Sequence, residues 1–145
     1  MWIECKIGIN DKILSLDIIN KDYFEALNVS GRGFSKIIDN HKYIFEICIL
    51  DNMLILTEDA YYVGNDNVYA YDWEGNSLWN VADIVGKKNI KYNGCVIGSI
   101  NSVDGNYYKE EMFEDTDFVV GCVGDARSYI INPYTKKVLN VQVVK

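Results

Sequence analysis

Histidine and cysteine build most nucleophilic and metal sites, and this chain is poor in both. His41 is the only histidine, so a serine or cysteine triad with a histidine base would have to use it. Because His41 follows Asp39-Asn40 directly before an apolar run, we expect an exposed loop and a surface histidine. The cysteines form no C-x-x-C pair, and each lies in its own apolar run: Cys5, Cys48, Cys95 and Cys122. We predict no catalytic residue and no metal site, and we expect the cysteines to act as small buried hydrophobes, although their even number leaves two disulfides open.

Other motifs that mark a cofactor or a reaction are incomplete. The segment 30–33, Ser-Gly-Arg-Gly, offers one G-x-G without the third glycine or the βαβ context of a nucleotide loop. Asp66, Asp72 and Glu74 lie in a turn-rich region without EF-hand spacing. We therefore predict no cofactor. A carboxylate- or cysteine-based hydrolase stays open, because 21 acidic residues always supply pairs; a deep pocket containing His41 would favour it.

The densest charge lies in residues 109–117, which hold five carboxylates in nine positions. Such a segment either keeps the protein soluble or docks a basic partner, since clustered carboxylates steer association and impose charge complementarity. Aromatic and methionine side chains within and beside it suit an interface core. The candidate partner-binding residues are Tyr107, Tyr108, Glu110, Glu111, Met112, Phe113, Glu114, Asp115 and Asp117. A second pair, Tyr61-Tyr62, also lies in a predicted loop and is open to the same interpretation.

The charge of the whole chain narrows the class of partner. Its 145 residues carry a formal net charge of −7, which disfavours duplex nucleic acid and anionic membranes and is compatible with a basic protein.

The first residues lack the basic start and apolar run of a signal peptide. No apolar run approaches the ~18 residues of a membrane-spanning helix, so we expect a cytoplasmic protein.

Short apolar runs separated by turn residues predict the elements that must position these side chains. Residues 3–9 with 13–18, and residues 43–50 with 53–57, are each separated by an Asn/Asp turn and predict β-hairpins. The run 43–50 is apolar at nearly every position, which indicates a strand covered on both faces.

Two further predicted hairpins, in residues 68–81 and 128–141, align at an offset of 60 residues. The matching positions include Tyr69 with Tyr129, Asn80 with Asn140 and Val81 with Val141. A looser third copy spans residues 14–29. The pattern predicts repeated antiparallel hairpins, each too small to bury its own apolar face, with chance similarity between short hairpins as the alternative.

Helical signals are weak. We expect a loop at 30–35, a helical turn at 36–40, a short helix at 81–88, and an exposed loop or short helix at 104–117. No window of about 15 residues sustains a 3.6-residue apolar period. We therefore predict an all-β fold: one antiparallel domain spanning 1–145, a small propeller-like, sandwich or barrel structure with at most one or two short helices.

Residues 67–81 resemble a blade of the quinoprotein-like and WD-type β-propellers. In those families a strand ends in Asp, a Gly-containing turn follows, and the outer strand carries an apolar-Trp pair, as in Asp72, Gly75 and Leu78-Trp79. Residues 128–141 look like a degraded copy. The resemblance covers at most a third of the chain and implies no cofactor. Because a closed propeller needs at least four blades of about 40 residues, this chain would have to form a homodimer to close a ring.

These features together predict a non-enzymatic protein-binding domain. Within that class we expect an acidic inhibitor or immunity-type protein that neutralises a basic toxin or nuclease by occlusion. A propeller-like scaffold acting through self-association is one alternative, and the hydrolase is the other. The abundance of Asn, Lys, Ile and Tyr is typical of an AT-rich bacterial or phage genome.

Overall fold

Antiparallel strands dominate the fold. The structure is a computed structural model that describes residues 1–6, 11–20, 22–95, 99–101, 107–108, 118–122 and 127–143. All strand pairings among these residues are antiparallel, which confirms the predicted all-β class. In the same ranges no helix is long and apolar enough to cross a membrane.

The elements are numbered along the chain. The strands are β1 (Trp2–Lys6), β2 (Ile13–Asn20), β3 (Tyr23–Gly31), β4 (Phe34–Ile38), β5 (Ile44–Ile49), β6 (Leu54–Glu58), β7 (Val68–Tyr71), β8 (Ser77–Asn80), β9 (Tyr92–Cys95), β10 (Ser99–Asn101), β11 (Tyr107–Tyr108), β12 (Phe118–Cys122), β13 (Arg127–Asn132) and β14 (Lys137–Val143). The helices are α1 (Ala60–Val63) and α2 (Val81–Val85).

The described strands form two sheets. In the larger one the order is β1-β2-β3-β5-β6-β7-β8, with β4 paired to β3, β10 to β5 and β11 to β10. The smaller sheet has the order β14-β13-β12-β9. All four predicted hairpins are confirmed as the pairs β1–β2, β5–β6, β7–β8 and β13–β14, although residues 7–10 of the first turn lie outside the described residues.

The segment 30–40 differs from its prediction. It is not a loop followed by a helical turn, because β3 continues to Gly31 and β4 returns antiparallel from Phe34. Gly33 closes the two-residue turn with a φ of 81°, a conformation that favours glycine. Ile38 then lies opposite Leu27, and both are almost fully buried. Pairing along β3 satisfies the backbone groups of this segment, which a single helical turn would leave mostly unpaired.

The two aligned hairpins diverge where each second strand ends. Asn80 caps α2, and its side chain forms a capping box with Asp83 that satisfies the first backbone N–H groups of the helix. The predicted short helix in residues 81–88 is therefore confirmed as α2. Val141, the counterpart of Val81, instead continues strand β14. The resemblance to propeller blades stays a prediction.

Strand β5 is covered on both faces, as the apolar run 43–50 predicted: Ile47 and its neighbour Cys48 are both fully buried, each in a different core. Strand β6 is covered in the same way. Neighbouring residues of a strand point to opposite faces, and in β6 both Leu56 and its neighbour Ile55 are at most 1% exposed. Leu56 belongs to a first core with β2, β3 and β4, whose members include Leu14, Leu16, Leu27 and Val29. Ile55 belongs to a second core with β8, α2 and the smaller sheet, whose members include Trp79, Ile84, Tyr92 and Tyr129.

Candidate functional site

His41 is buried, so the expected surface histidine is wrong. Its side chain lies just before β5 and the residue is 4% exposed. The Nε2 atom is 2.6 Å from the Tyr71 hydroxyl, and Nδ1 is 3.5 Å from Oε2 of Glu58. The ring also packs on Tyr69, with the centroids 4.5 Å apart. Local sequence patterns could not reveal these contacts, because the partners come from β6 and β7, and neither strand is next to residue 41 in the chain.

Glu58 is the charged centre of this polar cluster. It ends β6 and is 7% exposed, and its Oε2 accepts a hydrogen bond from the backbone N–H of Lys42 at 3.1 Å. Burial, followed by the charge and hydrogen bonding of Glu58, raises the pKa of Tyr69 to about 12. Burial also raises the pKa of Tyr71. The carboxylate therefore ties the 41–42 segment to β6 and β7 through polar contacts that a surface loop would not make.

A cavity of about 740 Å³ lies beside His41. A pocket containing His41 is the observation that would favour a hydrolase. However, both ring nitrogens face protein groups, and the Tyr71 hydroxyl at Nε2 belongs to a residue only 7% exposed. Cys48 is fully buried in the second core, as expected for a cysteine that acts as a small hydrophobe. We interpret the histidine as a structural anchor for the wall of the cavity.

A tyrosine cluster, which we define as Tyr23, Tyr43, Tyr61 and Tyr62, lies beside this cavity. The rings of Tyr43 and Tyr62 are stacked, with centroids 4.6 Å apart and an interplanar angle of 18°. Tyr23 meets each of them edge-on, at 5.2 Å and 5.8 Å. Tyr61 meets Tyr62 edge-on at 5.0 Å. These are the preferred arrangements of aromatic pairs, so the four rings support one another although Tyr61 is 84% and Tyr62 is 55% exposed.

Asp59 connects three members of the cluster through hydrogen bonds. Its side chain caps α1 by accepting from the backbone N–H of Tyr61 at 2.9 Å, and it accepts from the Tyr23 hydroxyl at 2.5 Å. The backbone N–H of Asp59 donates to the carbonyl of Tyr43 at 2.8 Å. The hydrogen bond to Asp59 is the main cause that raises the pKa of Tyr23 to about 12. One residue thus fixes three members of the cluster.

The predicted loop around Tyr61-Tyr62 is the single-turn helix α1. Asp59 before the helix and Gly64 after it, with a φ of 98°, are the start and stop signals that mark the turn in the sequence. The contact with Tyr23 and Tyr43 has no such local signal, because these residues come from β3 and from the turn before β5.

Most of the predicted partner-binding residues lie outside the part of the chain that the structure describes. Tyr107-Tyr108 form β11, which pairs with β10, so the backbone there is a strand and not the predicted loop. The remaining predicted positions, Glu110, Glu111, Met112, Phe113, Glu114, Asp115 and Asp117, lie outside the described residues. Their role stays a prediction.

Replacing His41 with alanine should destabilise the protein. The change leaves the buried Glu58 carboxylate and the Tyr71 hydroxyl each without one partner and opens a void, which together cost about 2–4 kcal/mol. Tyr71→Phe, which removes one hydroxyl and keeps the ring, should cost about 1 kcal/mol. Urea unfolding measures both values. A His41→Ala variant as stable as the wild type would show that the histidine anchors nothing.

Alkaline pH should destabilise the protein through Tyr69. The folded chain keeps the Tyr69 proton up to a pKa of about 12, whereas the unfolded chain releases it near the ordinary 10.0. The free energy of unfolding therefore falls as the pH rises through this window, because the unfolded state binds fewer protons. Tyr69→Phe should make the fall shallower in urea unfolding series, while Tyr61→Phe, which changes an exposed ring, should leave it unchanged. Equal slopes in all three proteins would contradict the raised pKa of Tyr69 in the folded chain.

Two features thus share one region of the described surface, and Tyr43 belongs to both the tyrosine cluster and the cavity wall. No protein-family model, no curated protein and no solved structure matches the chain.

Proposed function

We propose that this chain is a non-enzymatic protein-binding domain whose docking surface is centred on the tyrosine cluster. The observation that carries the proposal is the combination of exposure and order. Tyr61 and Tyr62 are 84% and 55% exposed, yet their rings pack on neighbouring rings, and Asp59 caps the backbone of the helix that carries them.

Fixed tyrosine rings suit a binding surface for two physical reasons. Tyrosine presents a large apolar face and a hydroxyl on a side chain with two rotatable bonds, so ordering it costs little conformational entropy. In this cluster much of that cost is already met, because Tyr62 stacks on Tyr43 and contacts Tyr23 before any partner arrives. Such aromatic anchors are enriched at the energetic centres of protein interfaces.

Charge favours a basic partner. The chain carries a net charge of −7, and Asp22 and Asp59 both lie close enough to Tyr23 to raise its pKa. A lysine or arginine of the partner would gain from these carboxylates and from the faces of the rings. An acidic inhibitor or immunity-type protein that occludes a basic toxin or nuclease is the specific function we propose for such a surface.

Loss of the exposed rings should weaken binding to selected peptides. We would pan a display library of random linear peptides against the wild-type protein, in which we expect the enriched peptides to be rich in lysine and arginine. A Tyr61→Ser/Tyr62→Ser variant should bind those peptides roughly tenfold or more weakly, as the removal of interface anchors does.

A matched control separates this surface from general stickiness. Leu78→Ser/Leu139→Ser removes two exposed apolar side chains from β8 and β14 and should leave the affinity unchanged. Equal losses in the two double variants, or enrichment of acidic peptides, would contradict the proposal.

The acidic segment of residues 109–117 is a second candidate contact, and the same peptides can test it. Changing Glu110, Glu111, Glu114, Asp115 and Asp117 to serine should weaken binding and flatten its salt dependence, because fewer charges would steer and hold a basic peptide. Affinity and salt dependence equal to those of the wild type would remove this segment from the binding surface and leave the tyrosine cluster as its centre.

A further inference from the structure

The cavity beside His41 is lined by apolar side chains and carboxylates, and of the tyrosine cluster only Tyr43 belongs to its described wall. Its volume of about 740 Å³ falls in the range of small-ligand sites. It is bounded by the irregular end of the β2–β3 hairpin, by the end of β4, by Trp2 of β1 and by residues 41–43.

The shape of the cavity depends on two irregularities in the β2–β3 pairing. Asp17 pairs with Ala26 but Ile18 pairs with Phe24, so Glu25 is the extra residue of a bulge, and a second shift follows at Ile19. In a regular strand Glu25 and Ala26 would point to opposite faces, yet both line the cavity. A bulge re-aims side chains in this way, and here it brings a carboxylate to a wall that also contains apolar groups.

Apolar side chains line the cavity while remaining open to solvent. Trp2, Ile19 and Ile37 are 47%, 46% and 56% exposed, and all three lie on its walls together with Tyr43. Large apolar side chains that converge on one concavity favour a ligand with an apolar body, because its binding would remove their surface from water.

Negative charge predominates among the ionisable groups of the walls. Among the described wall residues, three carboxylates (Asp17, Glu25 and Asp39) accompany one ammonium group, that of Lys42. Asp17 forms an ion pair with the Met1 ammonium group, with 2.9 Å between its Oδ1 and the ammonium nitrogen. Glu25 and Asp39 have no hydrogen bond or ion pair within the described part of the chain. Two carboxylates are therefore available to a cationic group.

We propose that this cavity binds a guanidinium or ammonium group carried on an apolar stem. The stem lies against Trp2, Ile19 and Ile37, and the cation is held by Glu25 and Asp39. His41 closes the inner wall, and its contacts with Glu58 and Tyr71 keep that wall in place. The chemistry fits both the side chain of an arginine or lysine in a basic protein and a free organic amine or guanidine. The inference stands on the cavity alone and does not depend on the tyrosine cluster.

Butylguanidinium is a direct probe, because it joins a guanidinium group to a short apolar stem. In a nuclear magnetic resonance titration of the full chain, we expect saturable amide shifts confined to residues around the cavity, such as Ile37 and Asp39. Butylurea has nearly the same shape without the charge and should bind at least roughly threefold more weakly, as expected when a charged contact is lost.

Two pairs of matched variants locate the site. Glu25→Gln/Asp39→Asn should weaken butylguanidinium binding roughly three- to tenfold, whereas Asp51→Asn/Glu74→Gln, which neutralises two exposed carboxylates elsewhere, should not. Ile37→Gln should weaken binding, whereas Leu78→Gln should not. All four variants change exposed side chains, so each can be checked for an unaltered spectrum before the titration.

A capped arginine, N-acetylarginine N-methylamide, distinguishes the two sources of the ligand. If the capped arginine binds at least as tightly as butylguanidinium, the cavity admits a side chain attached to a backbone. That result assigns the natural ligand to a protein partner. Exclusion of the capped arginine assigns it to a free small cation. The proposal is overturned if butylguanidinium gives no saturable shift at the cavity, if butylurea binds equally well, or if the two carboxylate variants bind alike.

Discussion

The rest of this structure depends on the burial of the β5–β6 hairpin from both sides. Apolar residues occupy consecutive positions of these strands, and because a strand points its residues alternately up and down, neither face can be left to water. One face requires the β2–β4 part of the large sheet, and the other requires β8, α2 and the smaller sheet. Burying this one hairpin therefore requires two hydrophobic cores, one on each face.

The candidate sites are attached to the ends of this hairpin. Tyr43 immediately precedes β5, and Glu58 and Asp59 end and follow β6. From these positions Glu58 holds His41 and the backbone of Lys42, while Asp59 holds Tyr23, Tyr61 and the carbonyl of Tyr43. Both the cavity wall and the tyrosine cluster therefore take their rigidity from the most deeply buried strands of the described structure. A recognition surface gains from that arrangement, because its side chains are ordered before binding.

Local patterns were enough to predict the hairpins, α2 and the double-sided burial of residues 43–50, because turn residues and apolar periodicity lie within a few positions of one another. They failed where the deciding contact is distant in sequence. His41 looked exposed because Glu58 and Tyr71 are 17 and 30 residues away. Residues 36–40 failed for a local reason: strand β4 pairs with β3 across a two-residue turn, but its residues do not alternate between apolar and polar types, so no strand pattern was visible. The tyrosine cluster was also missed, because its four rings come from three segments that are distant from one another in the chain.

Native-state hydrogen exchange tests most directly whether the sites share the rigidity of the hairpin. The backbone N–H of Lys42 is bound by the Glu58 carboxylate, and that of Asp59 by the carbonyl of Tyr43. If the sites are ordered as described, these two amides exchange only with the opening free energy of the β5–β6 amides, close to that of global unfolding. Exchange of both amides through a local opening, while β5 and β6 stay protected, would show that the sites are not held in place by the hairpin.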